Sequence, residues 1–339
     1  MKFLLLLLSV LNLLLLSCGV EGGKEKPQAI IFETDMGNDI DDAMALDLLF
    51  KNMEAGNIKL LGVGVHKNNP YSKEYIDIMR CWYGYEDVPI GVNTACVTDM
   101  DCVDYCTKTC QMKNEKGELL FPRSKKPKYE EAVDMYRRLL AKADDGSVVI
   151  VTVGFSTTIA QLLNSGPDKY SKLSGRDLVA QKVKYFSAMA GEFTIQDFAE
   201  YNVWNDLQAA RTLFETSPVP IVFTPWQIGD QVQYPGESIE RDFAWGEPHP
   251  MVEAYKHYLP MPYNRPTWDV IAAYYACHPE AVGFTLSESG DVKVVGRGIT
   301  QFTPNVEGKC RYLTATPEQC EQMLGYFHQV LTTKPRCKE

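Results

Sequence analysis

The residues best suited to chemistry lie in one short acidic stretch, ETDMGNDIDDAMAL, at positions 33–46. Its carboxylates are Glu33, Asp35, Asp39, Asp41 and Asp42. Carboxylates this close together repel one another, so they need a compensating partner. The stretch offers oxygen ligands and contains neither His nor Cys, which favours Ca²⁺ or Mg²⁺ over a softer metal.

Two familiar arrangements of clustered carboxylates do not match this stretch. An EF-hand loop needs the order D-x-[DN]-x-[DN]-G, which is absent here. Phosphatases with an Asp nucleophile after the first strand would need Asp where this chain has Glu33. A purely structural explanation also exists for Asp41 and Asp42, because acids at the start of a helix are stabilised by the helix dipole.

The acidic stretch joins a predicted strand to a predicted helix. AIIFET at 29–34 is a short apolar run typical of a buried strand, and DDAMALDLLF at 41–50 has the spacing of an apolar helix face. Further strands are predicted at 58–66, 88–92, 147–154, 183–191 and 219–225, and further helices at 72–84, 129–143, 157–164, 206–215, 267–277 and 316–332.

This alternation predicts an α/β fold with an open, mostly parallel sheet flanked by helices. In such sheets ligands bind at the carboxyl ends of the strands, and the acidic stretch follows the first strand directly. The formal net charge of −10 argues against a nucleic-acid partner, which would need a basic surface. We expect residues 29–339 to form one domain.

The N-terminus has the pattern of a targeting segment. Residues 1–17 contain a leucine-rich run that is too short to span a bilayer and is typical of a signal peptide. The tetrad LLSC, ending at Cys18, resembles the lipobox of bacterial lipoproteins and predicts lipidation of Cys18. Residues 18–28 would then be a tether, and the protein would be exported and anchored to a bacterial cell membrane, on its periplasmic or cell-surface side. The alternative is an ordinary signal peptide with an incidental Cys.

The other nine cysteines fit an exported protein, in which disulfides are permitted. Cys102, Cys106 and Cys110 recur every four residues, but zinc is disfavoured because no His lies nearby. We expect disulfides within the Cys-rich segment at 96–110, with Cys96 as a further partner.

Four segments, in order, resemble the inosine-uridine-preferring nucleoside hydrolases. The acidic stretch is similar to the family's D-T-D-P-G-x-D-D-A-x-A-L motif, with two residues inserted and with Glu33 and Met36 replacing Asp and Pro. The later matches are VIVTVGFSTTIAQLL at 149–163, MAGEFTIQDFAEYNVWNDLQAA at 189–210 and RPTWDVIAAYY at 265–275. The resemblance covers roughly residues 29–280 and implies a nucleoside hydrolase-like fold with a Rossmann-like core.

The resemblance implies Ca²⁺-dependent hydrolysis of the N-glycosidic bond of nucleosides or related ribosides. Asp35, Asp42, Asp269 and the main-chain carbonyl of Val153 would hold the Ca²⁺. Asp41 would remove a proton from a metal-bound water, which would attack C1′ of an oxocarbenium-like ribosyl group.

The resemblance also implies a set of substrate-binding residues. Glu200 and Asn202 would bind sugar hydroxyls, as would Asn68 or its neighbour Asn69. The partner is therefore expected to be a small riboside or nucleoside. Homo-oligomers are common in the family, so self-association is a further expectation from the resemblance alone.

Two further acidic residues lie in the same stretch. Glu33 is expected to support the metal ligands from behind. Asp39 has no clear family counterpart because of the insertion, so it is a candidate ligand, base or loop-stabilising residue.

The chain departs from the family at the leaving-group side. Trp268 stands where many members have a His that protonates the departing base, and an indole cannot be an acid, although it can stack on a base or close an apolar pocket. Thr194 replaces a family Asn. Other candidate acids, for each of which a packing or surface role is favoured, are His66, His249, His257 and Tyr263.

Arg265 is placed near the site by its sequence position, as an anion-binding group or as part of an ion pair. Trp226, Trp245 and Tyr234 are expected in the core. Because the acid is missing, two alternative functions stay open. These are a non-catalytic Ca²⁺-dependent riboside-binding protein and a hydrolase of a non-nucleoside glycoside.

Overall fold

The computed structural model describes residues 26–67, 69–95, 104–243, 245 and 248–336. The predicted signal peptide, Cys18, most of the tether and Asn68 lie outside these residues. The strands are β1 Gln28–Thr34, β2 Ile58–Val65, β3 Ile90–Val92, β4 Tyr129–Glu131, β5 Val148–Thr152, β6 Val183–Met189, β7 Ile221–Thr224, β8 Gln233–Tyr234, β9 Arg265–Pro266, β10 Thr285–Leu286, β11 Gly290–Val295, β12 Ile299–Pro304 and β13 Cys310–Thr314.

The helices alternate with these strands over most of the chain. They are α1 Asp41–Ala55, α2 Ser72–Trp82, α3 Tyr105–Cys110, α4 Ala132–Lys142, α5 Thr157–Asn164, α6 Gly175–Lys182, α7 Tyr201–Asn205, α8 Leu207–Thr216, α9 Trp226–Gln231, α10 Gly236–Arg241, α11 Pro250–Tyr258, α12 Trp268–Cys277 and α13 Pro317–Thr332. In the described part of the chain, none of them is both long and apolar enough to span a membrane.

The central sheet confirms the predicted architecture. Its order is β12-β11-β13-β7-β6-β5-β1-β2-β3-β4, and every pair from β13 through β4 is parallel. The strand order reverses beside β1, which pairs with β5 on one side and β2 on the other. This reversal is a topological switch point, where open α/β sheets bind ligands at their carboxyl ends.

Apolar side chains cover both faces of the sheet. On β1, Ile30 and Phe32 join the core formed with α1, α11, α12 and α13, whereas Ile31 joins the core formed with α4, α5, α6 and α8. Successive strand residues point to opposite faces, so a strand buried on both sides must be apolar throughout. The continuous apolar run at 29–32 therefore reflects a central strand.

One predicted helix begins later than expected. Residues 129–131 form β4, paired with β3, and α4 starts at Ala132. The Glu131 carboxylate accepts a hydrogen bond from the Asp134 N–H at 2.8 Å, which caps the helix there. The apolar spacing at 129–143 could not reveal this switch, because a three-residue edge strand has too little periodicity.

The disulfides predicted for Cys106 and Cys110 are not formed. Both thiols are free and buried on α3. The other described cysteines are also free; Cys277 and Cys310 are buried, and Cys81 and Cys320 are partly buried. Buried cysteines of this kind pack as small apolar side chains. Cys96 and Cys102 lie outside the described residues, so their pairing stays a prediction.

Candidate active site

A cavity of about 240 Å³ lies at the carboxyl ends of β1, β5 and β6, beside the switch point. It brings together nine of the residues singled out from the sequence. Its lining consists of Asp35, Asn38, Asp39, Asp41, Asp42, Val153, Met189, Glu200, Tyr201, Asn202, Trp226, Trp268 and Asp269.

A larger groove of about 1170 Å³ lies at the opposite edge of the sheet, against the beginnings of β1 and β2. Its acidic side chains are Asp87, Glu130 and Asp144, none of which is buried. We place the site in the smaller cavity, because only that one combines buried carboxylates with the strand ends of the switch point.

The acidic loop is shaped by its own side chains. The Thr34 hydroxyl donates to the Asp42 carboxylate and accepts the Met36 N–H at 3.0 Å. Gly37 has φ +108°, a conformation that side-chain-bearing residues rarely adopt, and a Cβ there would lie 2.9 Å from the Ser72 hydroxyl. The chain can therefore turn sharply from β1 into α1.

The acidic stretch and the segment at 265–275 meet where α1 and α12 begin. The Asp269 N–H donates to Asp41 Oδ2 at 3.1 Å, across 228 positions of sequence. Asp41, Asp42 and Asp269 all lie in the first turn of their helices. Both helix dipoles therefore present their positive ends to these carboxylates.

Burial dominates the electrostatics of the cavity. It raises the pKa of Asp35 to about 6, partly offset by His66 and Lys67. It also raises the pKa of Asp41 to about 6, partly offset by Arg265. Burial, and then the neighbouring aspartates, raise the pKa values of Asp42 and Asp269 well above the usual range.

The donor set fits a divalent cation bound by oxygen. Within the described chain, Asp35 Oδ2, Asp41 Oδ1 and Asp42 Oδ2 are buried and have no hydrogen-bond partner. Buried polar atoms are normally satisfied, so these oxygens are suited to an ion. As the side chains stand, no three His, Cys, Asp or Glu of the described residues are already arranged to hold a metal. A cation would therefore have to draw these carboxylates together.

Asn202 and Glu200 stabilise the side of the cavity formed by the ends of β5 and β6. The Asn202 amide donates to the Val153 carbonyl at 3.0 Å and to the Met189 carbonyl at 3.3 Å, which ties the ends of β5 and β6 together. Glu200 caps α7 and accepts main-chain N–H groups of Asn202, Val203 and Gly191 at 2.8, 3.2 and 3.1 Å. Burial nevertheless raises the pKa of Glu200 to about 7.

Glu33 lies behind the cavity and not in its lining. Its carboxylate contacts His66 Nδ1 at 2.5 Å, and His66 Nε2 accepts the Phe155 N–H at 2.9 Å. Burial alone would lower the pKa of His66, but Glu33 and Asp35 raise it overall. Because both ring nitrogens are engaged, His66 is a supporting residue and not a free acid.

Arg265 stands just behind the lining and contacts several lining residues at once. Its guanidinium lies 2.5 Å from Asp39 and 3.5 Å from Asp41. It also stacks on the rings of Tyr258 and Trp268, at 5.0 and 4.9 Å from their centroids. The ion-pair alternative is therefore the one that the structure shows.

Two aromatic side chains line one side of the cavity. The Trp268 indole N–H donates to the Trp226 carbonyl at 2.9 Å, and the two rings stack with centroids 6.3 Å apart. The expectation that Trp226 lies in the core is wrong, because it is only partly buried and lines the cavity. Its position directly after β7, at the carboxyl end of a parallel strand, was the available signal.

Sequence reasoning also missed Asn38 and Tyr201, both of which line the cavity. Asn38 falls in the two-residue insertion, and Tyr201 lies between the two predicted sugar-binding residues. The candidate acids His249, His257 and Tyr263 are absent from the described lining. They pack elsewhere, and Tyr263, for example, stacks on Tyr255. Tyr234 is buried, as expected.

Comparison with known proteins gives one family and one fold. A model of the inosine-uridine preferring nucleoside hydrolases matches residues 30–322. An uncharacterised protein of Schizosaccharomyces pombe is 30% identical over 221 residues, 62% of this chain and 65% of its own length. A pyrimidine-specific ribonucleoside hydrolase of Citrobacter koseri is 27% identical over 224 residues, 65% of this chain and 66% of its own length. The match thus spans slightly less than two thirds of either relative.

Solved structures agree on the fold. A plant nucleoside hydrolase superposes with a TM-score of 0.68 at 17% identity, covering 91% of this chain and 100% of that one. A purine-preferring ribonucleoside hydrolase from Gardnerella vaginalis gives 0.67 at 18% identity, covering 90% and 99%. With the family model matching most of its length, this chain belongs to the inosine-uridine preferring nucleoside hydrolase family.

Proposed function

We propose that this protein is a Ca²⁺-dependent hydrolase of the N-glycosidic bond of nucleosides or related ribosides. One observation carries the proposal: Asp41 lies in the same small cavity as Asp35, Asp42 and Asp269. These are the residues to which the family resemblance assigns water activation and metal binding. Their convergence from both ends of the chain makes a chance match of short motifs a poor explanation.

Asp35, Asp42, Asp269 and the main-chain carbonyl of Val153 would hold the ion. Oxygen-only donors with several carboxylates suit Ca²⁺. Bound there, the ion would supply Lewis-acid activation of water and a positive charge for binding ribose hydroxyls.

We assign Asp41 the role of general base. One of its oxygens is fixed by the Asp269 N–H, and the other is a buried oxygen that lacks a hydrogen-bond partner in the described chain. A pKa of about 6 leaves Asp41 ionised at neutral pH and basic enough to accept a proton in the transition state. Attack of the water on C1′ would then expel the heterocycle of the riboside.

The departing heterocycle would lie against Trp226 and Trp268. Planar aromatic faces bind heterocycles by stacking, and their apolar surface excludes water from the leaving-group side. Asn202 and Glu200 are proposed to contact sugar hydroxyls in addition to their bracing bonds. Asn68 stays in the proposal on sequence grounds alone.

Lipidation of Cys18, export and anchoring to a bacterial cell membrane also belong to this proposal. They are supported by the N-terminal sequence pattern, not by the described residues. Self-association is supported only by the family resemblance.

A riboside-binding protein without catalytic activity is the second candidate. It is favoured by one observation: within the described lining, no His takes the place of the acid that many relatives use. The two candidates differ in whether product appears.

The deciding experiment is product analysis on a panel of ribosides, with Ca²⁺, with chelator, and after Ca²⁺ is restored. We expect free base and ribose only when Ca²⁺ is present. Asp41→Asn should lower kcat by roughly 10²–10⁴-fold, the range for a lost general base. A riboside that is bound intact, as seen by native mass spectrometry, would support the binding protein instead.

A further inference from the structure

The cavity lining is strongly acidic. Six of its thirteen residues are carboxylates, and among the described lining residues none is Lys, Arg or His. The cationic groups lie outside the described lining: Arg265 is paired with Asp39 at 2.5 Å, and Lys67 and His66 act on Asp35. Even with a bound divalent cation, negative charges would outnumber positive ones. Such a site attracts cationic ligands and repels anionic ones.

Apart from the carboxylates assigned to the metal and to water activation, the described lining offers no acid that is available to protonate a leaving group. Burial raises the pKa of Glu200 to about 7, but both of its oxygens accept main-chain N–H groups. Asp39 is held by Arg265 and by the Tyr258 hydroxyl, which donates to it at 2.5 Å. The Tyr201 hydroxyl faces Asn38 Oδ1 at 3.5 Å, and a phenol, with an ordinary pKa of about 10, is a weak acid at neutral pH.

We infer that the preferred substrates are ribosides whose leaving heterocycle carries a fixed positive charge, such as N-ribosyl pyridiniums. The inference rests on the proposed function and specifies its substrate class. A cationic heterocycle needs no acid. As water bonds to C1′ and gives its proton to Asp41, the C1′–N bond breaks and its electron pair returns to nitrogen. The heterocycle departs neutral, and Asp41 passes the proton to solvent.

The aromatic side of the cavity fits the same class. Trp226 and Trp268 line it with stacked indoles, and tryptophan faces attract cations more strongly than other aromatic rings do. The volume of about 240 Å³ is below the roughly 300–1,000 Å³ of typical ligand sites, so the cavity suits a small riboside.

The test compares matched substrates on the full-length enzyme with Ca²⁺. The cationic probe is the β-riboside of nicotinamide, the neutral probe is uridine, and the anionic probe is the 5′-phosphate of the cationic one. Each kcat/KM is divided by the uncatalysed hydrolysis rate, because a pyridinium is intrinsically the better leaving group. We expect this corrected kcat/KM to be at least tenfold higher for the cationic riboside than for uridine. For the 5′-phosphate it should be at least tenfold lower than for the cationic riboside.

Two variants separate local charge from net charge. Asp39→Asn removes one carboxylate from the lining and should reduce the preference for the cationic riboside roughly fivefold, as one nearby charge would. Asp144→Asn makes the same change in net charge at an exposed position and should leave the preference unchanged. Added salt should lower kcat/KM for the cationic riboside and not for uridine.

The outcomes distinguish the inference from the function on which it rests. If uridine is hydrolysed as efficiently as the corrected pyridinium riboside, the inference is wrong and the proposed hydrolase stands. If neither riboside is hydrolysed with Ca²⁺ present, both are overturned. If Asp144→Asn lowers the preference as much as Asp39→Asn, the local charge of the lining is not its cause, and the inference also fails.

Discussion

Single residues connect parts of the chain that are far apart in sequence. The Asp269 N–H fixes the Asp41 carboxylate, and Asn202 fixes the Val153 carbonyl. In each pair one member is a proposed metal ligand or base, and the other supplies its orientation. The site is therefore held by main-chain groups at strand and helix ends, which move less than long side chains.

Gly154 lets Asp35 and His66 pack directly on the end of β5. A Cβ at this position would lie 2.6 Å from His66 Nε2 and 2.8 Å from Asp35. Gly154→Ala should therefore displace Asp35, weaken Ca²⁺ binding by at least tenfold and lower kcat/KM, as measured by calorimetry and product analysis. Gly166→Ala is the matched control, because a Cβ there meets no atom within 4 Å. Unchanged Ca²⁺ affinity in Gly154→Ala would contradict the assignment of Asp35.

Arg265 contacts both the proposed general base Asp41 and the aromatic ring of Trp268. Arg265→Met should lower kcat about tenfold or more, because Asp41 loses its only nearby cation in the described chain and Trp268 loses its stacking partner. Arg265→Lys should restore only part of kcat, since an ammonium keeps the charge but not the planar stack. Arg241→Met removes an exposed ion pair and should have little effect. Full rescue by Lys would show that stacking does not matter.

At the scale of elements, α3 supports the acidic loop from behind. The Tyr105 hydroxyl accepts the Gly37 N–H at 2.9 Å and donates to the Asp39 carbonyl at 3.0 Å. Disulfides were expected to hold this cysteine-containing segment. Instead, the buried Tyr105 hydroxyl connects it to the acidic loop. Cys106 packs on the same loop, because its sulfur lies 3.4 Å from where a Gly37 Cβ would be.

Tyr105→Phe tests this support. It leaves the buried Gly37 N–H without a partner, a change that costs about 1–3 kcal/mol in comparable cases. We expect a lower melting temperature and a Ca²⁺ dissociation constant raised up to roughly tenfold. Tyr71→Phe, whose hydroxyl accepts from exposed Gln111, should change neither. Wild-type affinity in Tyr105→Phe would mean that α3 does not shape the metal loop.

At the scale of the whole molecule, the buried carboxylates lower the stability of the metal-free fold. Asp35, Asp41, Asp42 and Asp269 are all nearly inaccessible to solvent. Holding several ionised carboxylates away from water is unfavourable, which is why their pKa values rise. Cation binding and folding should therefore be linked, with bound Ca²⁺ stabilising the native state.

The pH dependence of stability follows from the direction of these shifts. Asp35 and Asp41 have pKa values of about 6 when folded and 3.8 when unfolded, so between these values the folded state binds more protons. Stability in chelator should therefore fall as pH rises from about 4 to about 6, and it should fall further above that as Asp42 and Asp269, whose pKa values are also raised, lose their protons. Thermal unfolding should give a higher melting temperature at pH 5.0 than at pH 7.5.

Two comparisons check that the aspartates cause this effect. Ca²⁺ at pH 7.5 should raise the melting temperature, and Asp41→Asn in chelator should show a smaller loss of stability on going from pH 5.0 to pH 7.5. A metal-free protein that becomes more stable over the same interval would contradict the shifted pKa values.

Much of the site could be predicted, because its motifs directly follow a strand or open a helix, and both positions can be recognised from local sequence. The residues after β1, and those opening α12, carry their signals in local sequence, so Asp35, Asp41, Asp42 and Asp269 could be chosen in advance. Trp226 was instead expected in the core: its position after β7 was a signal for the cavity, but a Trp after a strand is equally typical of a core. For Arg265 an ion pair was one of two expectations, but its partner Asp39 could not be named, because a contact between segments far apart in sequence leaves no local signal.

The sequence by itself determined the alternation of strands and helices, the chemistry of the acidic stretch and the identity of its main carboxylates. These are local properties, set by apolar periodicity and by which atoms a side chain carries. Only the tertiary structure decided which residues meet: the Asp41–Asp269 contact, the stacked Trp226 and Trp268, and the acidic cavity that these residues line. Such contacts depend on the order and register of the strands, which no local pattern encodes.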